Sequence, residues 1–435
     1  MKKIGIIVLF YGFSISGKAQ IFDRIKNKVN QKVNDAVDKT IDNVGKKKKD
    51  STANNLPKAV DSTVTQTTST TVNSTTGAPA SPGVSAPPED IKAYSKFDFV
   101  PGEKIIVEEN FSQDAIGEFP DKWNTKTSAE VVTVSNKPGK WLCLKQDGVF
   151  YPEYISTLPD NFTLQVDVMV SNGISNIGAL TIALAATKED REKFDNGYVN
   201  SDISVPGIKI DINPQSGTYE GSFSYSSNAL GHGNINNLTS EFHAPDKTFA
   251  TISIWRQKQR VRVYVNSTKM LDLPRAIEPG AIINSLIFGA YAPDYEKKGG
   301  AFYIGNIRLA VGAPDTRNKL ITEGKFVTHG ILFDVNSDKI KPESNGALQD
   351  IANVLKDNST IRVKIVGHTD SDGDDKMNLD LSKKRADAVK AALVASFGID
   401  GARLDTDGKG KTQPIDVNTT PVGKANNRRV EFIKL

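Results

Sequence analysis

The stretch Ile361-Arg-Val-Lys-Ile-Val-Gly-His-Thr-Asp370 decides how the C-terminal part of the chain folds, together with Ser-Asp-Gly373, Asn378, Leu381-Ser382 and Arg385-Ala386 behind it. Val363 and Ile365 alternate with polar neighbours and Val366 closes an apolar run at Gly367, which predicts a strand. From Leu379 to Phe397, apolar residues at 381, 389, 393 and 397, with Ala388 and Ala392, recur at helical spacing. The strand therefore carries Asp370 to its C-terminal tip, and the helix carries Arg385 in its early turns. A carboxylate and a guanidinium then share one face. Paired with each other, they form a salt bridge of the common, weak kind. Facing a zwitterion, the carboxylate takes an ammonium group and the planar guanidinium takes a carboxylate in bidentate fashion.

The pattern G-H-T-D-x-x-G-x-x-x-x-N-x-x-L-S-x-x-R-A from Gly367 to Ala386 resembles the signature of the OmpA-like (OmpA/Pal/MotB C-terminal) peptidoglycan-binding domain. Gly408-x-Gly410-x-x-x-Pro414, Asn418-x-Thr420-x-x-Gly423 and Asn427-Arg-Arg-Val-Glu431 continue the match, and Ile331-Leu-Phe-Asp-Val-Asn336 resembles the family's first strand and ligand-side turn. So many residues in register carry more weight than one short motif. The resemblance implies a βαβαββ fold over 324–435: strands at 326–333, 361–367, near Arg403 and at 429–434, helices at 342–355 and 377–397, and the helices on one side of a mixed sheet. It also implies a noncovalent site for the diaminopimelate terminus of the peptidoglycan stem peptide. By position, Asp370 would meet the ammonium and Arg385 the carboxylate. Asn336 and Thr369 would form the polar rim, Leu381 the wall that excludes water, and Phe333 and Asp334 the adjoining turn. Asn378 and Arg429 are expected to brace the loop or the sheet. Lys424 stands where the family often has arginine, away from the expected pocket, and the acids of Asp372-Gly-Asp-Asp375 are expected to be solvated. Asp370, Asp372 and Asp374 do not make a calcium loop, since glycine falls at position four and no distal glutamate completes it.

The whole chain has 435 residues, enough for two or three domains. Its 55 basic and 51 acidic residues nearly balance, giving a net charge of +4, so no global field points to nucleic acid. A single cysteine, Cys143, excludes an internal disulfide and a cysteine-based zinc site, and four scattered histidines argue against a histidine-rich metal centre. No metal and no cofactor is expected. Residues 1–19 read as a secretory signal peptide: Lys2 and Lys3, an apolar run from Ile4 to Phe10, and small residues Gly17 and Ala19 before a cleavage at Gln20. No cysteine follows for a lipid anchor. The expected location is the periplasm or outer membrane of a Gram-negative cell.

Within 20–44, Phe22, Ile25, Val29, Val33, Ala36, Val37, Ile41 and Val44 fall on one broad helical face, with Phe22, Val33 and Val44 eleven residues apart. Such a helix can be an oligomerisation seam, can lie on a membrane surface with Lys46 to Lys49 at its end, or can pack on its own protein. Residues 45–95 are rich in Thr, Ser, Ala and Pro and are expected to be a flexible linker. Asp50-Ser-Thr and Asp61-Ser-Thr within it resemble O-glycosylation sites of Bacteroidetes envelope proteins.

Residues 96–315 show short alternating strands punctuated by Gly, Pro and Asn, among them 162–170, 208–212, 249–255, 261–265, 269–273, 286–291 and 302–309, with turns at Lys258 and Asn266-Ser267. This predicts an antiparallel sandwich or barrel. Short strands with mid-run charges such as Asp167 and Arg262 disfavour a transmembrane barrel. Arg262-Val-Tyr-Val-Asn-Ser-Thr-Lys269 and Phe302-Tyr-Ile-Gly-Asn-Ile-Arg-Leu309 resemble the concanavalin A-like (laminin G-like) jelly roll, which implies a glycan or an envelope protein as partner. Trp123, Trp141, Trp255 and the Phe150-Tyr151 pair are either stacking faces for sugars or core. The alternative, a wall-tethered jelly-roll glycan hydrolase, needs two carboxylates about 5–10 Å apart. The face of Lys209, Asp211 and Asn213 offers one acid. No nucleophile with a base is apparent, so no catalysis is expected.

Overall fold

In the run 161–170, Phe162, Leu164, Val166, Val168 and Val170 alternate with Thr163, Gln165, Asp167 and Met169, so one side of a strand is apolar and the other largely polar. The computed structural model describes residues 98–435 apart from 136, 172, 174–175, 200, 217–220, 237–240, 245, 296–297 and 313–315. The signal peptide, the helix expected over 20–44 and the linker of 45–95 lie outside the described residues.

That run is β6 (Asn161–Val170), central in an eight-stranded antiparallel sheet. Its neighbours are β13 (Phe249–Gln257) and β17 (Phe302–Val311); β14 (Arg260–Val265) and β15 (Thr268–Leu273) continue beyond β13. On the other side, β4 (Lys137–Leu144) and then β3 (Glu130–Val134) follow the first half of β17, while β1 (Lys104–Glu109) pairs with its second half. The left-handed residues Lys258 and Asn266 make the turns of the β13–β14–β15 meander. A seven-stranded antiparallel sheet holds β11 (Gly231–Asn236), β10 (Ser222–Ser227), β8 (Gly207–Asn213), β7 (Ala179–Ala185), β16 (Ser285–Tyr291), β5 (Gly148–Pro152) and β2 (Trp123–Thr125), in that order, and the short β9 (Gln215–Ser216) and β12 (His243–Ala244) pair in parallel apart from it. The inner faces of both sheets share one core that includes Leu164, Val166, Ile252, Ile182, Ile210 and Phe288. Each such side chain stabilises the fold by about 1.5–3 kcal/mol. A helix not foreseen in the sequence, α1 (Asp190–Gly197), sets Phe194 over Val149, Tyr151 and Ile287 on the outer face of the seven-stranded sheet.

β17 contains a bulge. Its inward residues are Phe302 and Ile304, then Ile307, Leu309 and Val311, and this change of parity requires an extra residue. The register with β6 shifts between Gly305 and Arg308, and Asn306 takes a left-handed φ of 46°.

The aromatic residues considered as stacking faces are mostly core. Trp123, Trp141, Phe150 and Tyr151 are buried, and Trp123 stacks on Phe288 with ring centroids 5.7 Å apart. Trp255 is half-buried, edge-on to Phe99 and under Arg262. Asp211, the acid of the face weighed for hydrolysis, accepts a hydrogen bond from Thr181 and lies 3.9 Å from the buried ammonium of Lys209.

The C-terminal region has a four-stranded mixed sheet in the order β18 (Lys325–Thr328), β21 (Val430–Lys434), β19 (Val363–Gly367), β20 (Leu404–Gly408); only β19 and β20 run parallel. The core between this sheet and helices α2 (Asn345–Asp357) and α3 (Asp375–Phe397) includes Ile351, Leu355, Ile365, Val389, Leu393 and Phe432. Asp374 caps α3 by accepting from the backbone N–H of Lys376 and Met377, and Gly398 ends it in the left-handed region. Two features differ from expectation. The first strand stops at Thr328, since the chain turns at Gly330 and Phe333 returns only as an isolated bridge to Ile340. A short helix, α4 (Pro421–Asn427), precedes β21, so the order is βαβαβαβ; Thr420 caps it and Pro421 opens it.

The two-sheet region and the C-terminal region belong to the same compact unit. The Asn426 side chain accepts from the Ile105 N–H (3.0 Å) and donates to the Ile105 carbonyl (3.1 Å), pairing with β1 as a strand would. Among the described residues no helix is long and apolar enough to cross a membrane, which says nothing of crossing by strands.

Candidate functional site

Close packing of α3 against the sheet places the Asp370 loop. A Cβ on Gly367 would stand 2.1 Å from the Ser382 carbonyl oxygen, and one on Gly408 2.5 Å from the Lys383 nitrogen, so only glycine lets the strand tips approach the helix. Ser382 fixes the contact by donating to the Leu379 carbonyl and accepting from the Gly410 N–H. Below the tip, His368 Nε2 lies 3.5 Å from Glu431, which Arg429 and Lys325 also hold. Burial pushes the Glu431 carboxyl up, but His368, Lys325 and Arg429 outweigh it and hold the carboxyl well below the usual range.

Arg385 points from α3 toward the turn at 333–340. Its Nε donates to the Ser337 carbonyl at 2.9 Å, and its guanidinium lies over the Phe333 ring, 4.8 Å from the centroid. The turn is closed by the Asp334 N–H on the Lys339 carbonyl and by a left-handed Asn336 (φ 53°). Among the described residues Arg385 makes no ion pair. Burial lowers its affinity for a proton, Arg428 adds to that, and Asp370 and Asp338 oppose it. It is a half-buried cation held by two carbonyls, Ser337 and, at 3.5 Å, Asp334, and by a ring.

Asp370, by contrast, is engaged. Its Oδ2 accepts from Arg428 Nη1 at 2.6 Å, and its Oδ1 accepts from the Asp372 N–H at 3.1 Å. Arg428 Nη2 reaches Glu108 on β1 at 3.1 Å, and Glu108 takes a bidentate pair of bonds from Arg308 on β17 (2.8 and 3.0 Å). Burial raises the Glu108 carboxyl, but Arg308 and then Arg428 more than offset it, leaving it below its ordinary value.

Phe333, Asp334, Asn336, Thr369, Asp370, Asn378, Leu381 and Arg385 all line one cleft of about 420 Å³. Asn378 also donates to the Asp372 carbonyl across the loop, and Arg429 lies outside the cleft, bonded to Glu431. The opposite wall belongs to the eight-stranded sheet and includes Gln165, Asp167, Thr251 and Asn306.

The OmpA family pattern matches residues 332–428. The chain carries an OmpA family domain at its C-terminus. The curated relatives it matches include a probable lipoprotein, YiaD, of Escherichia coli K12, 42% identical over 104 residues that cover 24% of this chain and 47% of that protein. Outer membrane protein A of Bordetella avium is 44% identical over 101 residues, 23% of this chain and 52% of that one. The chain thus spans about half the length of these relatives. Among solved structures, the peptidoglycan-associated lipoprotein of Burkholderia pseudomallei is 30% identical, with 24% of this chain and 88% of that chain covered and a TM-score of 0.23.

Beyond the residues read from sequence, the OmpA family domain brings Arg428 to its cleft, and the sheet brings Glu108 and Arg308. Arg428 lies inside the Asn427-Arg-Arg-Val stretch of the family signature, but nothing in that stretch marks its partners. Nothing local marks Glu108, which meets Arg428 across 320 positions. Asp372 is not merely solvated: its carboxylate takes both bonds from Lys424 Nζ (2.7 and 3.0 Å), so Lys424 ties the last helix to the Asp370 loop.

Proposed function

We propose that the cleft binds peptidoglycan noncovalently, holding the zwitterionic end of diaminopimelate in the stem peptide, and that the chain is an exported envelope protein of the periplasm or outer membrane. The observation that carries this reading is Arg385: a guanidinium lining a cleft with Asp370, with no carboxylate among the described residues to pair it. A ligand carboxylate supplies the missing charge through charge-assisted, fork-like bonds. Its ammonium shares Asp370 with Arg428, since a carboxylate accepts about four hydrogen bonds. Thr369 and Asn336 supply polar edges and Leu381 an apolar one. The relatives' names, a lipoprotein and an outer membrane protein, support the location. The OmpA family match over 332–428, which contains both Asp370 and Arg385, supports the partner. No chemistry on the ligand is part of this reading.

The test is co-sedimentation of the full chain with purified diaminopimelate-type peptidoglycan, beside Arg385→Ala and Asp370→Ala, each checked for folding. Wild type in the pellet and both folded variants in the supernatant is the expected result. A folded wild type that stays in solution, or variants that pellet as well as it does, sinks the proposal.

A further inference from the structure

We propose that the outer face of the eight-stranded sheet is the second wall of the same binding site, and that Gln165 and Asp167 hydrogen-bond the peptide groups of the ligand beyond its zwitterionic end. This rests on the cleft reading above and extends the site from the OmpA family domain to the sheet, whose residues would read the peptide groups next to the diaminopimelate.

The face is built for polar contact. Gln165 and Asp167 are two apart on β6, so both leave the sheet on the side away from the shared core. They are only 5% and 7% exposed, yet they line the cleft with Asp370 and Arg385. Asp167 is held in place by Thr251 Oγ1 on Oδ1 (2.6 Å) and by Asn306 Nδ2 on Oδ2 (2.9 Å). The second contact exists because of the bulge, which resets β17 opposite Asp167 and turns the Asn306 side chain out of the core. Bulges recur beside functional sites because they re-aim one side chain. Two neutral donors leave Asp167 with acceptor capacity to spare. Gln165 has, among the described residues, one long contact, 3.5 Å to Ser253 Oγ. Its carboxamide therefore keeps a donor and an acceptor for use, the complement of a peptide N–H and C=O.

A structural face has other habits. Buried polar side chains satisfy one another at ordinary distances. Here Asp167 follows that habit, but the Gln165 carboxamide has one overlong bond, and both border a cleft of about 420 Å³, a volume in the range of ligand pockets and more than one zwitterionic terminus fills.

The experiment uses the full chain and two probes, free meso-diaminopimelate and a soluble stem peptide carrying the same residue, with calorimetry on wild type, Gln165→Leu, Asp167→Asn and Arg385→Ala. The expected result is that wild type binds the stem peptide more tightly than the free amino acid. Gln165→Leu and Asp167→Asn should weaken the stem peptide by about five- to tenfold each and leave the free amino acid within about twofold, as losing one hydrogen bond implies. Asp167→Asn is isosteric, and if it does not fold the Gln165 variant carries the test alone. Equal wild-type affinity for both probes overturns the proposal, as do variants that bind both probes unchanged or weaken both alike, while the Arg385 reading stands. Failure of wild type to bind either probe overturns both readings.

Discussion

Replacing Arg385 by lysine separates charge from geometry at the centre of the proposed site. The guanidinium keeps its place by a short bond to the Ser337 carbonyl, a long one (3.5 Å) to the Asp334 carbonyl and the Phe333 ring beneath it, which leaves the remaining N–H groups for the cleft. Lysine keeps the positive charge but loses the planar fork, the anchor on Ser337 and the stacking. A charge-assisted hydrogen bond contributes about 1.5–3 kcal/mol and stacking on a ring about 0.5–1 kcal/mol. One fork bond and part of the stacking together give a loss of about 2–3 kcal/mol in ligand binding, roughly 30- to 150-fold in Kd. Calorimetry of Arg385→Lys with a diaminopimelate-bearing stem peptide reads this directly, and urea unfolding of the same protein reads the cost to the fold. Because Arg385 is half-buried and makes no ion pair among the described residues, the fold should lose no more than about 1–2 kcal/mol. A folded lysine variant that binds within about threefold of wild type would refute the argument, since a point charge would then suffice and the geometry around Phe333 and Ser337 would be irrelevant.

Two further outcomes concern the fold around the site. Burial lowers the His329 pKa from 6.5 to about 4, helped by Arg308 and Arg429 and opposed by its bond to the Asn426 carbonyl and by Glu103. The unfolded chain takes a proton as pH falls through 6.5 while the folded one stays neutral, so stability is complete above 6.5 and declines toward pH 4, by roughly 3 kcal/mol. Denaturant midpoints across that range should fall for wild type and fall less for His329→Gln; parallel curves would count against the buried neutral imidazole. Gly367→Ala places a methyl 2.1 Å from the Ser382 carbonyl and should cost about 1–3 kcal/mol as α3 is pushed off the strand tips. A shift in unfolding free energy under about 0.5 kcal/mol would show that the approach is looser than described.

How much of this is legible in the sequence depends on the range of the interaction. β19, α3 and the convergence of Asp370 and Arg385 on one cleft follow from local periodicity and a motif whose residues lie within about twenty positions of one another. The Asp374 cap is local too, yet the acidic run around it reads as solvated, because its partners are backbone N–H groups that no side-chain pattern marks. The bulge is written in Phe302-Tyr-Ile-Gly-Asn-Ile-Arg-Leu309, where apolar parity slips between Ile304 and Ile307, although the run reads at first as one unbroken strand. Helix α4 escapes notice because Gly423, Asn426 and Asn427 are poor helix formers; Thr420-Pro421 is its main advertisement. The second wall of the cleft has no sequence signal. It depends on Asn426 pairing with Ile105 and on Arg428 reaching Glu108, contacts across 321 and 320 positions that carry no period.

Four of the charges lining the cleft form a chain, and its order bears on how a ligand is received. Arg308, Glu108, Arg428 and Asp370 alternate in sign, each in contact with the next. Two guanidiniums and two carboxylates leave that chain neutral, and Arg385 stands beside it as an added positive charge. A simple anion neutralises Arg385 and leaves the chain intact. A zwitterion placed as proposed would neutralise Arg385 equally well, but its ammonium would meet Asp370 where Arg428 already holds it, so it would share that carboxylate or draw it from its partner. Sharing is geometrically open, because Arg428 sits on Oδ2 while Oδ1 takes the Asp372 N–H. Arg428 also holds Glu108 on β1, and Glu108 holds Arg308 on β17, a strand of the opposite wall. In the proposed site, the choice between a zwitterion and an anion therefore depends on the sheet as well as on the OmpA family domain, through a guanidinium that touches both.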